Sequence, residues 1–475
     1  MAHQYCQSCH IFPEPSLLDV KSWDDGVLPV MGPMLGIFTH NYQRYPSGRN
    51  DRNLDSNFYP SKPLITVQEW QNIIDYYTAT SPDSLAPQTR DVPIKMGLPF
   101  FQVQLPAKMD YHTVTYLKMT SSGNQRQLLL ADQSTQRFLK IDNKLQVIDS
   151  LSSAGTIVDT EDAGTKMLLC DMGNINPTNG KYGRGVYMYP DSIGKMKLYS
   201  SPVLKGLARP VQIVSADLDN DGKMDYVVCE YGFMKGSLTW YQNQGNNSFQ
   251  RKVLRAFPGA LKVYAQDYNK DGLPDLWVLF AQGEEGIFLF TNKGKGQFEQ
   301  KQVLRFPPSY GSTSFEFADF NGDGYADIVY TCGDNADYSQ VLKPYHGIYI
   351  FLNDGYNQFR EKYFFPMNGC FKAIARDFDE DGDLDIAAIS FFADYNMQPE
   401  ESFVYLENKG QLSFQPYHFP EAKLGRWLTM EAGDLDGDGK TDLVLGNFAE
   451  GPVLIKPSVD WKKGPSFIFL KNRGK

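Results

Sequence analysis

The sequence predicts a mainly β protein, a seven-bladed β-propeller preceded by a small α-helical domain. Three observations predict it. An acidic loop of the form Asp-x-Asp/Asn-x-Asp-Gly-x-x-Asp occurs five times. The first aspartates, Asp217, Asp267, Asp319, Asp377 and Asp434, lie 50, 52, 58 and 57 residues apart, a fixed period that marks a repeat architecture. Between the loops the chain reads as short β-runs, four to each period, which is the content of one propeller blade. A chain of 475 residues has ample core for two domains.

The helical domain spans residues 1–85. Cys6-Gln-Ser-Cys9-His10 sets two thiols and an imidazole at the spacing by which cysteines add to haem vinyls and histidine takes the iron. No second Cys/His pair lies at zinc-ligand spacing, and no βαβ pattern follows to suit a redox dithiol. Trp23 and the run Val27-Leu-Pro-Val-Met31-Gly-Pro-Met34-Leu-Gly offer an apolar wall and a thioether. A helix fits Val67 to Tyr77, with Thr66 as N-cap and Trp70, Ile73, Ile74 and Tyr77 on one face.

This combination resembles small bacterial c-type cytochrome domains. The resemblance implies one haem c attached at Cys6, Cys9 and His10. By analogy it implies a sixth ligand, with Met31 the first choice, Met34 the second and His40 the third. Met31 follows His10 by only 21 residues, shorter than in many cytochromes c. Methionine ligation raises the reduction potential and suits electron transfer.

A Pro-rich stretch from Ser81 to Pro99 follows, and residues 86–99 are assigned as the linker. The propeller is assigned residues 100–475. Two weaker cycles open it, one with Leu128-Leu-Leu-Ala-Asp and Arg137-Phe-Leu-Lys-Ile-Asp, the other with Met167-Leu-Leu-Cys-Asp and Gly185-Val-Tyr-Met-Tyr. Neither carries the acid spacing, so no metal is expected there and a change at Asp132 is expected to cost little. Five strong cycles follow, whose strands after the loop are alike, such as Ser237-Leu-Thr-Trp-Tyr-Gln-Asn and Gly347-Ile-Tyr-Ile-Phe-Leu-Asn. The chain ends at Asn472-Arg-Gly-Lys before a last strand can form, and Phe100-Phe-Gln-Val-Gln-Leu is predicted to supply it and close the ring.

The loops have specific chemistry. Oxygens at alternate positions of a tight loop converge on one point, which suits Ca²⁺. Positions 1, 3, 5 and 9 give side chains: Asp217, Asp219, Asp221, Asp225; Asp267, Asn269, Asp271, Asp275; Asp319, Asn321, Asp323, Asp327; Asp377, Asp379, Asp381, Asp385; and Asp434, Asp436, Asp438, Asp442. Position 7 gives a backbone carbonyl, from Lys223, Leu273, Tyr325, Asp383 and Lys440. Asn269 and Asn321 lower the charge of two loops and predict weaker binding. An EF-hand needs Glu at position 12, where this chain has Val228, Val278, Tyr330, Ala388 and Leu445.

The loops resemble the FG-GAP and VCBS repeats of β-propellers, including the calcium loops of integrin α-chain propellers, strongly over residues 205–475 and weakly over 100–204. The resemblance implies about five Ca²⁺. It leaves function open, since such propellers serve as adhesion modules, lectins and lyase scaffolds.

Four acids in three loops and three in two make eighteen ligand carboxylates, so five Ca²⁺ would offset the net charge of −10. The acidity is metal-site charge and argues against nucleic acid. Cys170, Cys229, Cys332 and Cys370 fall singly in or beside strands and read as buried free thiols. No transmembrane run is present. Covalent haem and calcium both belong outside the cytoplasm, in the periplasm or at a bacterial cell surface, so an export signal or lipoprotein anchor is expected outside the numbered chain.

The expected function is electron transfer, with the propeller docking a redox or outer-membrane protein partner. His3, His10, His40, His112, His346 and His418 form no catalytic arrangement with Ser and Asp, so an enzyme is not expected. The rivals are a structural subunit of an outer-membrane assembly and a carbohydrate-binding or carbohydrate-cleaving propeller. Arg209, Lys262, Lys372 and Arg426 would form a basic ring at the channel mouth and hold an anionic sugar or an acidic partner loop.

Overall fold

The computed structural model describes residues 1–475 apart from 123, 124, 153, 337 and 456. Seven antiparallel sheets follow one another along the chain. Blade 1 holds strands between residues 114 and 151, blade 2 between 157 and 207, and blade 3 between 210 and 255. Blade 4 spans 260–305, blade 5 spans 312–366, blade 6 spans 370–418 and blade 7 spans 427–472. In blades 3 to 7 the second strand, such as Asp225–Glu230 or Asp442–Asn447, is buried at every residue. That explains its unbroken apolar run: it is covered on both faces by neighbouring blades, as parallel strands are in layered folds.

The inner strands Val114–Ser122, Ile157–Ala163, Pro210–Ala216, Ala260–Gln266, Ser312–Ala318, Cys370–Arg376 and Trp427–Gly433 contact one another in sequence, and the last meets the first. The ring is therefore closed. Its closure is double: Phe101–Gln104 pairs antiparallel with Phe467–Asn472, so blade 7 draws strands from both ends of the chain. The segment assigned as linker is not a free tether. Lys95–Met96 adds a parallel strand to the edge of blade 6. Gln88 Nε2 donates to the carbonyls of Lys343 and His346 at 3.1 and 2.7 Å.

Side chains stitch the inner edges together. Asp159 Oδ2 accepts from Ile213 N at 3.0 Å, Gln212 Oε1 from Val263 N at 2.6 Å, and Glu316 Oε1 from Ala375 N at 3.1 Å. Lys372 Nζ donates to the Met430 carbonyl at 2.7 Å. Each bond joins one blade to the next and satisfies a backbone group that an inner strand would otherwise leave unpaired.

The amino-terminal segment holds three α-helices among the described residues: Ala2–Cys6, Leu28–Met34 and Val67–Thr80. The last begins on the expected Thr66, in a reciprocal capping box with Glu69, and buries Trp70, Ile73 and Tyr77. These join Leu18, Trp23, Leu28 and Ile37 in one apolar cluster that also takes in Val341 of blade 5. The cytochrome likeness is not carried by this arrangement, which is a short helical segment seated on a blade surface.

Strands alternate in direction, so first-to-second turns lie on one face of the ring and second-to-third turns on the other. The segment sits on the second of these faces. Tyr345 OH donates to the Leu17 carbonyl at 2.9 Å, Asn179 Nδ2 to Asp51 at 2.9 Å, and Lys235 pairs with Asp55. Cys170, Cys229, Cys332 and Cys370 are fully buried and free, as expected.

Candidate cation loops and the amino-terminal thiols

All five acidic loops join a first strand to a second, so all lie on one face of the ring, opposite the helical segment. Each has the same internal wiring. The position-1 carboxylate accepts the N–H of the position-6 glycine: Gly222 to Asp217, Gly272 to Asp267, Gly324 to Asp319, Gly382 to Asp377 and Gly439 to Asp434, at 2.8–3.0 Å. The position-5 carboxylate accepts the N–H of position 7: Lys223, Leu273, Tyr325, Asp383 and Lys440 donate to Asp221, Asp271, Asp323, Asp381 and Asp438. These bonds turn the loop inward.

The position-6 glycines have φ between 81° and 95°, and a Cβ there would meet nothing within 4 Å. The backbone turn, not space, requires glycine. Position 4 is left-handed too, at Asn220, Lys270, Gly322, Glu380 and Gly437. Sequence reasoning passed over that position, although two of its five residues are glycine.

Asp225, Asp275, Asp327, Asp385 and Asp442 are fully buried at position 9. Each accepts the backbone N–H of an asparagine that ends, or nearly ends, the next strand: Asn243, Asn292, Asn353, Asn408 and Asn472, at 2.7–2.8 Å. Each asparagine amide donates back to the carbonyl before its aspartate, at Met224, Pro274, Ala326, Leu384 and Thr441. This Asp–Asn latch fastens the loop to its blade. The recurring Asn is visible in the sequence, but its partner is fixed only by the fold. Burial raises the position-9 carboxyls, to about 6 for Asp442 and about 7 for Asp385.

Three carboxylate oxygens converge within 4.8 Å in blades 3, 6 and 7: at Asp217, Asp219 and Asp225; at Asp377, Asp379 and Asp381; and at Asp434, Asp436 and Asp442. Among the described residues no such group forms in blades 4 and 5. There Asn269 and Asn321 turn their amides onto Asp271 and Asp323, at 2.9 and 2.8 Å. Asp219 Oδ1 is buried and has no hydrogen-bond donor among the described residues. An orphaned carboxylate oxygen in an all-oxygen donor set fits a hard divalent cation.

The thiol segment is arranged differently. Cys6 and Met31 pack against the same apolar cluster, while Cys9 is exposed. His10 Nδ1 bonds the Ile11 carbonyl at 2.8 Å, which leaves Nε2 with the lone pair. Burial lowers the His10 pKa and so favours the neutral, ligating form. Burial raises that of Cys6, eased by the Tyr77 hydroxyl. Met34 is more exposed than Met31, and His40 is engaged with Gln71 Oε1 at 2.6 Å. These residues fit haem attachment in donor type and tautomer.

Two expectations fail. Asp132 is fully buried and accepts from Thr113, Ser134 and Thr135 through backbone and hydroxyl donors, so it is a turn-organising residue. The basic ring does not form. Arg426 is fully buried, donates to the carbonyls of Phe391, Glu450 and Pro452, and stacks 3.5 Å from the Phe391 ring centroid. Arg209 donates to Ile175 and Gly232 carbonyls. Lys262 and Lys372 lie on inner strands and act electrostatically on Asp159 and Glu431, which makes the channel mixed in charge.

The repeats match the family profile described as FG-GAP-like repeat over residues 217–278, 267–330 and 377–445. These are FG-GAP-like repeats. The match leaves out blades 1 and 2, as the missing acid spacing requires. No curated protein matches the chain. Among solved structures it is similar to a chain of the BBS1N–ARL6DN complex, at a TM-score of 0.45 and 9% identity over 80% of this chain and 98% of that one. It is similar to the Dos1 propeller, at 0.44 and 11% over 77% and 78%. A third is a chain from the S. cerevisiae complex of dbp5 with nup159, gle1, IP6 and ADP, at 0.43 and 10% over 81% and 98%. Among the described residues no helix is long and apolar enough to cross a membrane.

Proposed function

We propose that this FG-GAP-like propeller is a calcium-stabilised docking platform that carries a haem c on the face opposite its cation loops, and that it passes electrons to a protein partner outside the cytoplasm. The observation that supports the calcium half is one loop geometry repeated five times, with carboxylates that converge in blades 3, 6 and 7. Asp217, Asp219, Asp221 and Asp225, with their counterparts in the loops of blades 4 to 6, would hold the ions. Calcium would supply the positive charge that lets several carboxylates share one turn.

The haem half rests on Cys6, Cys9 and His10, with the His10 tautomer fixed by Ile11. Haem would supply a one-electron couple. This chain's own part is to keep Nε2 free and to offer Met31 on the apolar cluster that Cys6 also packs against. The anionic-glycan reading loses its support, because Arg209 and Arg426 spend their donors on backbone carbonyls.

Two measurements test the proposal. Excess chelator should lower the melting temperature of the whole chain, and restored Ca²⁺ should recover it; an unchanged melt would remove calcium. The exported, matured protein should show a c-type haem absorbance band that reduces reversibly. Its absence would remove electron transfer and leave the platform.

A further inference from the structure

The blade 7 loop matches the acid pattern fully, yet its carboxylates already hold cations supplied by the protein. Lys471 Nζ contacts Asp436 and lies 3.4 Å from Asp438, the ligands at positions 3 and 5. Arg126 of blade 1 reaches the position-1 ligand, 3.1 Å from Asp434 Oδ2, and donates to the Asp434 carbonyl at 2.9 Å. Lys471 stands on the strand that pairs with the closure strand, opposite Gln102. Arg126 stands on the second strand of blade 1, Gln125–Asp132, so the two cations come from the two blades that meet where the ring closes.

We infer that the blade 7 loop is a metal-independent clasp, in which Lys471 and Arg126 take the place that a divalent cation holds in its sister loops, locking blade 7 to blade 1. The inference builds on the calcium reading for the sister loops and gives this loop the opposite role. Blade 3 supplies the contrast. The residue equivalent to Lys471 is Gln242, a neutral donor to Asp219, and the nearby Lys223 is bound to Asp221 from the exposed rim of the loop. In blade 6 Lys475 Nζ lies 2.9 Å from both Asp379 and Asp381, but it is half exposed, and among the described residues no second cation pairs with this loop. One exposed ammonium is worth little and yields to a divalent ion. In blade 7 the lysine is three-quarters buried, and the arginine doubles the opposing charge. A Ca²⁺ arriving there meets two positive groups and must displace the first from two of its own ligands.

The test uses the full chain, stripped with chelator and titrated with CaCl₂, with crystals soaked in Tb³⁺ to identify occupied loops. Blade 3 should fill at concentrations that leave blade 7 empty, and Lys471→Met should tighten blade 7 by roughly tenfold or more. Equal filling of both loops in the native chain, unaltered by Lys471→Met and Arg126→Met, would overturn the clasp while leaving the calcium reading intact.

A second measurement is free of metal. In excess chelator, Asp436→Asn should lower the melting temperature by breaking the clasp. Asp219→Asn in blade 3 should leave it unchanged or raise it by relieving repulsion. If neither loop binds metal but this contrast appears, calcium is lost and the clasp stands; if Asp436→Asn behaves like Asp219→Asn, the clasp is lost.

Discussion

Asp132 illustrates what a single residue conceals until its neighbours are known. In the sequence it ends an apolar run and carries none of the loop spacing. In the fold it organises the turn that follows by accepting two backbone N–H groups, from Thr113 and Thr135 at 2.8 and 3.0 Å. Asp132→Ala should therefore cost about 2–3 kcal/mol, because buried donors lose their acceptor. Urea unfolding of the two proteins checks this, and a loss within error would show that water replaces the carboxylate.

Asp159 makes a pH prediction. Burial pushes it up to about 6, against the pull of Lys262 and the backbone N–H of Ile213, with Glu161 and Lys118 also near. A carboxyl whose folded pKa is raised binds its proton more tightly in the native state. Its contribution is most favourable below the unfolded value near 4 and is lost as pH rises through 6. Asp159→Asn keeps an acceptor for Ile213 but cannot ionise. Its stability relative to the native chain should rise between pH 4 and 7, by something on the order of 2 kcal/mol. A pH-independent difference would place the charge in water.

At the scale of the element, the loops were the most legible part of the chain. The loop turns, the position-6 glycines and the lack of a converging carboxylate group at Asn269 and Asn321 among the described residues all follow from residue types at fixed spacing. The latch was half legible. Asn243, Asn292, Asn353, Asn408 and Asn472 recur in plain view, but a bond spanning some 17–30 residues needs the strand register to reveal it. Charges were the least legible. Lys471, Arg126 and Arg426 look alike in sequence, and only the fold makes one a loop counter-ion and another a buried carbonyl clamp.

The latch has its own prediction. Asn353 donates to Ala326 O at 3.1 Å and accepts from Gly355 N and Asn357 N, each at 3.1 Å, with 6% of its surface exposed. Asn353→Ala leaves these three groups without their partner and should cost about 1–3 kcal/mol. Hydrogen exchange should speed up in the blade 5 loop and its adjoining strands before it does elsewhere. Uniform acceleration across all blades would mean that the latch serves the ring as a whole.

At the scale of the molecule, seven blades and their closure were legible because the period counts five units and the final strand is visibly missing. The seat of the amino-terminal segment was not, since its contacts run to loops hundreds of residues away, such as Leu17 to Tyr345. Ring closure gives the last prediction. Phe101 of the closure strand is 9% exposed and wedges between blades 6 and 7, its ring 5.7 Å from Phe378 and 5.5 Å from Tyr405. Phe101–Gln104 is the outer strand of blade 7, so loosening it bares the edge of Phe467–Asn472 and slackens the seam between blade 7 and blade 1. Phe101→Ala should cost about 3–4 kcal/mol, the toll of an aromatic truncated in a packed core. Amides of Phe467–Asn472 and of the blade 1 inner strand should lose exchange protection first, while blades 3 to 5 hold theirs. If the clasp at Lys471 and Arg126 is sound, adding Lys471→Met to Phe101→Ala should destabilise by more than the sum of the two single changes, since both act on one seam. Additive losses would mean that strand and clasp close the ring independently.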